Sequence, residues 1–227
     1  MRMMVAFEKG EALRHIGHLD LMRTMQRALR RSGLPIKYSN GFNPHIRLSF
    51  AAPLSVGVIG LNELMEVPLE DGTSEETFMN EMNAVLPSCM RITACRAISD
   101  EFPALMSLVA GADYRIVIMK TEEGSKAAAR FADFMALDSY VANRRTKSGE
   151  NPCDIRPFVI DGKMEETEDS FVIELRTIAT QAGMLKPALW LDSLREFAGC
   201  ETFLNRIYRK NILALNKKKK LIPMEEV

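Results

Sequence analysis

A chain of 227 residues has room for one large domain or two small ones, and 47% apolar against 26% charged residues is the balance of a globular protein with a sizeable core, which excludes a wholly disordered chain. The formal net charge is zero, so total charge decides nothing about an anionic partner and only its distribution can inform. No uncharged apolar run approaches the ~20 residues of a membrane helix, and the start, Met1-Arg2-Met3-Met4-Val5-Ala6-Phe7-Glu8-Lys9, is charged too soon for a secretory leader; a cytoplasmic chain with no membrane partner is expected.

In chain order, Met3–Glu8 predicts a short strand ended by Gly10. His18–Arg31 predicts a helix, because Leu21, Met22, Met25, Ala28 and Leu29 recur at helical spacing and Gly33 and Pro35 follow as stop signals. Pro35–Tyr38 and Ile46–Ala51 predict extended segments around the turn Ser39-Asn40-Gly41-Phe42-Asn43-Pro44. Leu64–Leu69 predicts a strand, Ser74–Leu86 a helix with a capping-box start, and Met90–Ile98 a strand. The order β-α-β-β-α-β is the ferredoxin-like pattern.

The same order recurs. Tyr114–Lys120 predicts a strand, Ser125–Leu137 a helix, Tyr140–Arg145 and Phe171–Ile178 strands, Lys186–Phe197 a helix with the only tryptophan, Trp190, and Ile207–Leu215 a last strand. The expectation is an α+β chain of two tandem ferredoxin-like halves, each an antiparallel sheet with helices on one face. Residues 1–100 form the first half, 101–111 a linker, 112–216 the second half and 217–227 a basic, flexible tail. A faint internal echo fits duplication: Gly41 to Arg47 and Gly149 to Arg156 both place an Asn-Pro turn ahead of an Ile-Arg pair.

Charge is unevenly spread. Up to Phe50, nine basic residues face only Glu8, Glu11 and Asp20, whereas Ala51–Asp100 carries eight acids against Arg91 and Arg96. Arg23, Arg27, Arg30 and Arg31 share the helix face opposite the apolar stripe. Four crowded guanidiniums favour an anionic partner, because arginine forks onto phosphate; a solvated face paired with the acidic second quarter is the competing reading. Phe42 and Asn43 sit at a turn tip with His45 and Arg47 just beyond, where a ring could stack on a base. Arg144, Arg145 and Lys147 occupy the matching turn of the second half, with Arg156 after it, and Lys217–Lys220 add nonspecific phosphate attraction. These residues together are the expected RNA- or anion-binding set.

Catalytic signals are weak. His15, His18 and His45 all lie in the first half, and His18 and His45 are candidates for acid–base work because imidazole titrates near neutrality. A lone His-x-x-His is too few ligands for zinc. Cys89, Cys95, Cys153 and Cys200 form no Cys-x-x-Cys pair, so neither an iron–sulfur cluster nor a structural zinc is expected, and reduced thiols are. No phosphate loop, dinucleotide fingerprint or nucleophile elbow occurs. No cofactor is expected.

Lys9-Gly10, Gly17-His18-Leu19-Asp20, Arg27-Ala28-Leu29-Arg30-Arg31, Leu34-Pro35, Tyr38-Ser39, Gly41-Phe42-Asn43-Pro44-His45 and Asp154-Ile155-Arg156-Pro157 resemble the radical SAM-associated family of unknown function, most specifically from Gly17 to Pro53. Its members occur as separate chains or fused behind a B12-binding-type radical SAM protein, often near genes for ribosomal proteins and an RNase G-type enzyme. The resemblance implies a radical SAM protein as partner and RNA modification or maturation as context; it carries over no catalytic residue. Three readings follow: an accessory subunit that binds RNA or presents substrate to a radical SAM enzyme, an RNA-cleaving or RNA-modifying enzyme using His18 or His45, and a protein-docking module without RNA binding.

Overall fold

Helical and strand periodicities in the sequence are met by elements that bury the matching faces. A computed structural model describes residues 1–70, 72–146, 149–181 and 183–227, with only the backbone at 145 and 146. The strands and helices run β1 (Arg2–Lys9), α1 (His18–Arg31), β2 (Ser49–Phe50), β3 (Val58–Pro68), α2 (Glu75–Val85), β4 (Met90–Ile98), α3 (Leu105–Leu108), β5 (Val109–Met119), α4 (Glu122–Ala129), α5 (Phe131–Met135), β6 (Val141–Thr146), β7 (Gly149–Asp154), β8 (Val159–Glu166), β9 (Ser170–Ile178), α6 (Pro187–Phe197), β10 (Asn205–Leu215) and β11 (Leu221–Pro223). The protein is α+β with mostly antiparallel sheet. It divides into two units, Met1–Val109 with Arg209–Val227, and Ala110–Tyr208.

In the first unit β1 pairs antiparallel with β3 on one side and β4 on the other, β2 adds Ser49 and Phe50 to β3, and the C-terminal part of β10 neighbours β3. Alternate β1 residues Met3, Val5 and Phe7 join Met65 and Val67 of β3 under Leu21, Met25, Ala28 and Leu29 of α1 and Phe78 and Met82 of α2. Each fully buried Leu or Met here contributes about 1.5–3 kcal/mol. α2 starts where Ser74 Oγ accepts from the Thr77 backbone N–H at 3.1 Å. Thr77, not an acid, occupies the third helical position, so the expected capping box is a simple serine cap. Beyond Leu215 the chain turns through Asn216, whose Oδ1 accepts from the backbone N–H groups of Lys218 and Lys220, and β11 pairs back onto β10.

In the second unit β9 lies between β5 and β8, and β10 enters beside β5, where the Leu204 carbonyl accepts from Met119 N–H at 3.0 Å. Trp190 of α6 is buried edge-on to Phe131 and Phe134 of α5. Three expectations need correction. Tyr140–Arg145 is not a strand of the main sheet: β6 pairs with β7 in a separate two-stranded ribbon. The strand beside β9 is β8, which the sequence reading left out, because Asp161, Gly162, Lys163, Glu165 and Glu166 break any apolar alternation on this edge strand. The single helix over Ser125–Leu137 is two, α4 and α5, divided at Arg130.

Candidate functional site

The first unit holds the features that the arginine pattern singles out. α1 turns Leu21, Met25, Ala28 and Leu29 inward, which leaves Arg23, Arg27, Arg30 and Arg31 exposed within an arc of about 100° on the opposite side. Arg23 Nη1 donates to Asp20 Oδ1 at 3.1 Å, and Arg31 Nη2 donates to the Val85 carbonyl at 2.8 Å. Among the described residues, Arg27 and Arg30 have no side-chain partner of either kind, so their charge faces solvent.

After α1 the chain folds back on itself. Tyr38 and Ile46 form an isolated bridge, Ser39 N–H donates to the His45 carbonyl at 2.8 Å, and Ser39 Oγ accepts from His45 N–H at 3.0 Å. His45 Nδ1 lies 2.8 Å from the same hydroxyl, which fixes the ring. The closed neck pushes the tip outward: Gly41 takes φ 117°, a conformation that favours glycine. Phe42 is fully exposed, and Asn43 is exposed beside it. Tyr38 is exposed as well.

A cavity of about 660 Å³ opens between α1 and this segment. Met22 and Gln26 of α1 form one wall, His45, Arg47, Leu48 and Ser49 another, and Arg2, Glu66 and Pro68 close it. Two acids line it, Glu66 and Asp100: Arg2 Nη1 donates to Glu66 Oε2 at 2.8 Å, Ser49 Oγ donates to Glu66 Oε1 at 2.8 Å, and Asp100 lies 4.0 Å from Arg2 Nε and 3.4 Å from the chain's amino terminus. Arg2 also donates to the carbonyls of Ser99, at 3.0 Å, and Phe102. Arg47 is exposed at the rim, and its guanidinium has no partner among the described residues.

Beneath the loops that precede α1 and β3 lies a cluster of buried charge. Arg209 and Glu63 are 2% and 3% exposed, and Arg209 donates from Nε to Glu63 Oε1 at 2.8 Å and from Nη2 to Glu63 Oε2. The remaining Arg209 donors reach the carbonyls of Pro53 at 3.0 Å and Ala52 at 3.1 Å. Lys9, 1% exposed, points Nζ at the carbonyls of Arg14, Ile16 and Val58 at 3.4–3.5 Å. Burial pushes its amine below the ordinary lysine value, the Glu63 charge opposes that, and Arg209 adds to it. Sequence reading missed all three residues, because each looks like ordinary surface charge; Lys9 alone carried a signal, as part of the Lys9-Gly10 resemblance.

The histidines do not converge. His15 Nε2 accepts from Arg14 Nε at 2.9 Å, His18 stands edge-on to Phe50 with Nδ1 buried and unpartnered, and His45 is held by Ser39. No hydrogen bond or ring contact joins one histidine to another among the described residues, and no three His, Cys, Asp or Glu side chains there gather as metal ligands. No helix is long and apolar enough to cross a membrane among those residues.

The remaining candidates lie in the second unit. Arg144 is on β6, facing a cavity of about 420 Å³ that also takes in Glu150, Lys186, Asp192 and Arg195. The Arg145 side chain and all of Lys147 lie outside the described residues. Arg156 is half-buried and engaged: Nε donates to the Leu137 carbonyl at 2.9 Å and Nη1 to the Val159 carbonyl at 2.8 Å. Its neighbour Asp154 accepts from the backbone N–H groups of Tyr140 and Arg156, so this motif ties a loop together.

No curated protein matches the chain. A family model described as "Uncharacterized protein conserved in bacteria (DUF2344)" matches residues 2–187, and the chain belongs to that bacterial family.

Proposed function

We propose that this chain is an accessory subunit that binds RNA through its first unit, along the exposed face of α1 and the loop of residues 39–45, and presents it to a radical SAM enzyme in RNA modification or maturation. One observation carries the RNA reading: among the described residues, Arg27 and Arg30 are exposed without an intramolecular partner on the helix that also walls a cavity rimmed by His45 and Arg47, itself unpartnered there. Unpaired guanidiniums repel one another and gain most from phosphate, which accepts two-point hydrogen bonds. Phe42 at the loop tip supplies a ring on which an unpaired base can stack.

The radical SAM partner rests on the resemblance of residues 17–53 to the radical SAM-associated family, and the absence of closely spaced cysteines fits an accessory role. The tandem ferredoxin-like reading belongs here too. Counting β1–β4 as one set and β5, β8, β9 and β10 as the other, with β6–β7 as an insertion and β11 left aside, gives the order 4-1-3-2 twice, as β4-β1-β3-β2 and β10-β5-β9-β8. Such folds serve many functions, so the argument for RNA stays with the side chains.

The test is crosslinking in cells followed by capture of the full chain, with both RNA and protein sequenced. A defined RNA recovered together with a radical SAM protein is the expected result. A stoichiometric protein partner without RNA would replace this reading with a docking module, and turnover of RNA by the isolated chain would replace it with an enzyme.

A further inference from the structure

We propose that the cavity between α1 and the segment 45–49 is a mononucleotide subsite, which takes one unstacked nucleotide of the bound strand with its phosphate on Arg47 and its base in the cleft; this rests on the RNA reading above. Its volume, about 660 Å³, falls within the roughly 300–1,000 Å³ of small-ligand sites. Its walls are of two kinds, as a nucleotide requires. Met22, Leu48 and Pro68 offer apolar surface for the faces of a base, and Gln26 offers an amide for its edge. That amide makes only a long contact, Nε2 to the Ile46 carbonyl at 3.4 Å, which leaves its oxygen to accept.

The charges in the cavity favour an anion at one end alone. Glu66 spends both oxygens on Arg2 and Ser49, Asp100 faces Arg2 Nε at 4.0 Å and the amino terminus at 3.4 Å, and Arg2 Nη2 goes to backbone carbonyls, so that end is internally balanced. Arg47 at the rim is balanced by nothing among the described residues, and His45, whose ring Ser39 orients, lines the same cavity. A phosphate at the mouth therefore meets a fork of donors, while the base passes inward between apolar walls. The same geometry disfavours a free base or an uncharged sugar, which would leave Arg47 unused.

Titration calorimetry of the full chain with adenosine, guanosine, cytidine and uridine 5′-monophosphates, each beside its nucleoside, tests this, with single-stranded RNA as a parallel arm. At least one monophosphate should bind, at least tenfold tighter than its nucleoside. Arg47→Ala, an exposed position that leaves the core intact, should erase that difference, and Gln26→Trp should fill the cleft and abolish nucleotide binding. RNA binding with no monophosphate bound at millimolar concentration would overturn the subsite and leave the RNA reading standing. Monophosphate binding indifferent to Arg47→Ala would also overturn it. Arg47-dependent monophosphate binding without RNA binding would support the cavity as a nucleotide site and reject the strand as its source.

Discussion

Arg209 and Glu63 are 146 positions apart in sequence and form a buried, two-point ion pair, with Arg209 Nε 2.8 Å from Glu63 Oε1. The pair stands at the bottom of the first unit's loop layer, because the same guanidinium holds the Ala52 and Pro53 carbonyls ahead of β3. Room for it comes from Gly60, where an added Cβ would lie 2.5 Å from Glu63 Cγ. A fully satisfied buried pair is costly to break singly, since the survivor is an uncompensated charge in low dielectric.

Glu63→Leu and Arg209→Met should therefore each destabilise the fold by about 3–5 kcal/mol, while the two combined should cost less than the single losses added. Urea denaturation followed by circular dichroism measures this. Additive losses would mean that the two groups are energetically independent. Gly60→Ala should fall in the same direction as the single variants, by displacing the Glu63 side chain.

Cys95 gives a pH prediction. Burial, with the Glu75 charge adding to it, pushes its thiol up from the ordinary 9.0 to about 11. The folded state thus keeps a proton that the unfolded state has lost across that interval, and the contribution of this group to stability is present below pH 9 and declines as pH rises toward 11. Cys95→Ala should remove that part of the alkaline loss. Alkylation of Cys95 in the folded protein, followed by peptide mass spectrometry, should accelerate with a midpoint near pH 11; a midpoint at 9 would contradict the assignment.

Phe42→Ala should weaken RNA binding by about 1–3 kcal/mol, the range for one stacked base. The salt dependence should stay as it was, because a ring releases few counterions. Thermal melting should be unchanged, since the side chain is fully exposed. An affinity equal to that of the unsubstituted chain would remove the loop tip from the interface.

Parts of this arrangement were legible in the sequence for physical reasons. α1 was, to the residue, because its apolar stripe and its arginines follow one period, and β4 was, because the run Met90–Ile98 is bounded by turn residues. β8 was not, since its charged and glycine residues leave this edge strand mostly exposed and without an apolar alternation. The ribbon β6–β7 also escaped notice, because Tyr140–Arg145 reads the same whether it pairs with a sheet or with its own neighbour. The candidate site divides likewise. Exposed arginines announce themselves by helical spacing, but Arg156 and Arg31 meet backbone carbonyls that no side-chain pattern encodes. Lys9, Glu63 and Arg209 come together only once the sheet has formed.

The most direct test of RNA binding by the first unit is the affinity of the full chain for single-stranded RNA over a salt series, with and without Arg27→Ala and Arg30→Ala. Both positions are exposed, so the variants should melt as the parent does. Log affinity should fall steeply with log salt, each variant should bind more weakly, and the slope should drop by up to about one unit per lost phosphate contact. Absence of binding at low salt, or a slope indifferent to both substitutions, would contradict RNA binding by the first unit.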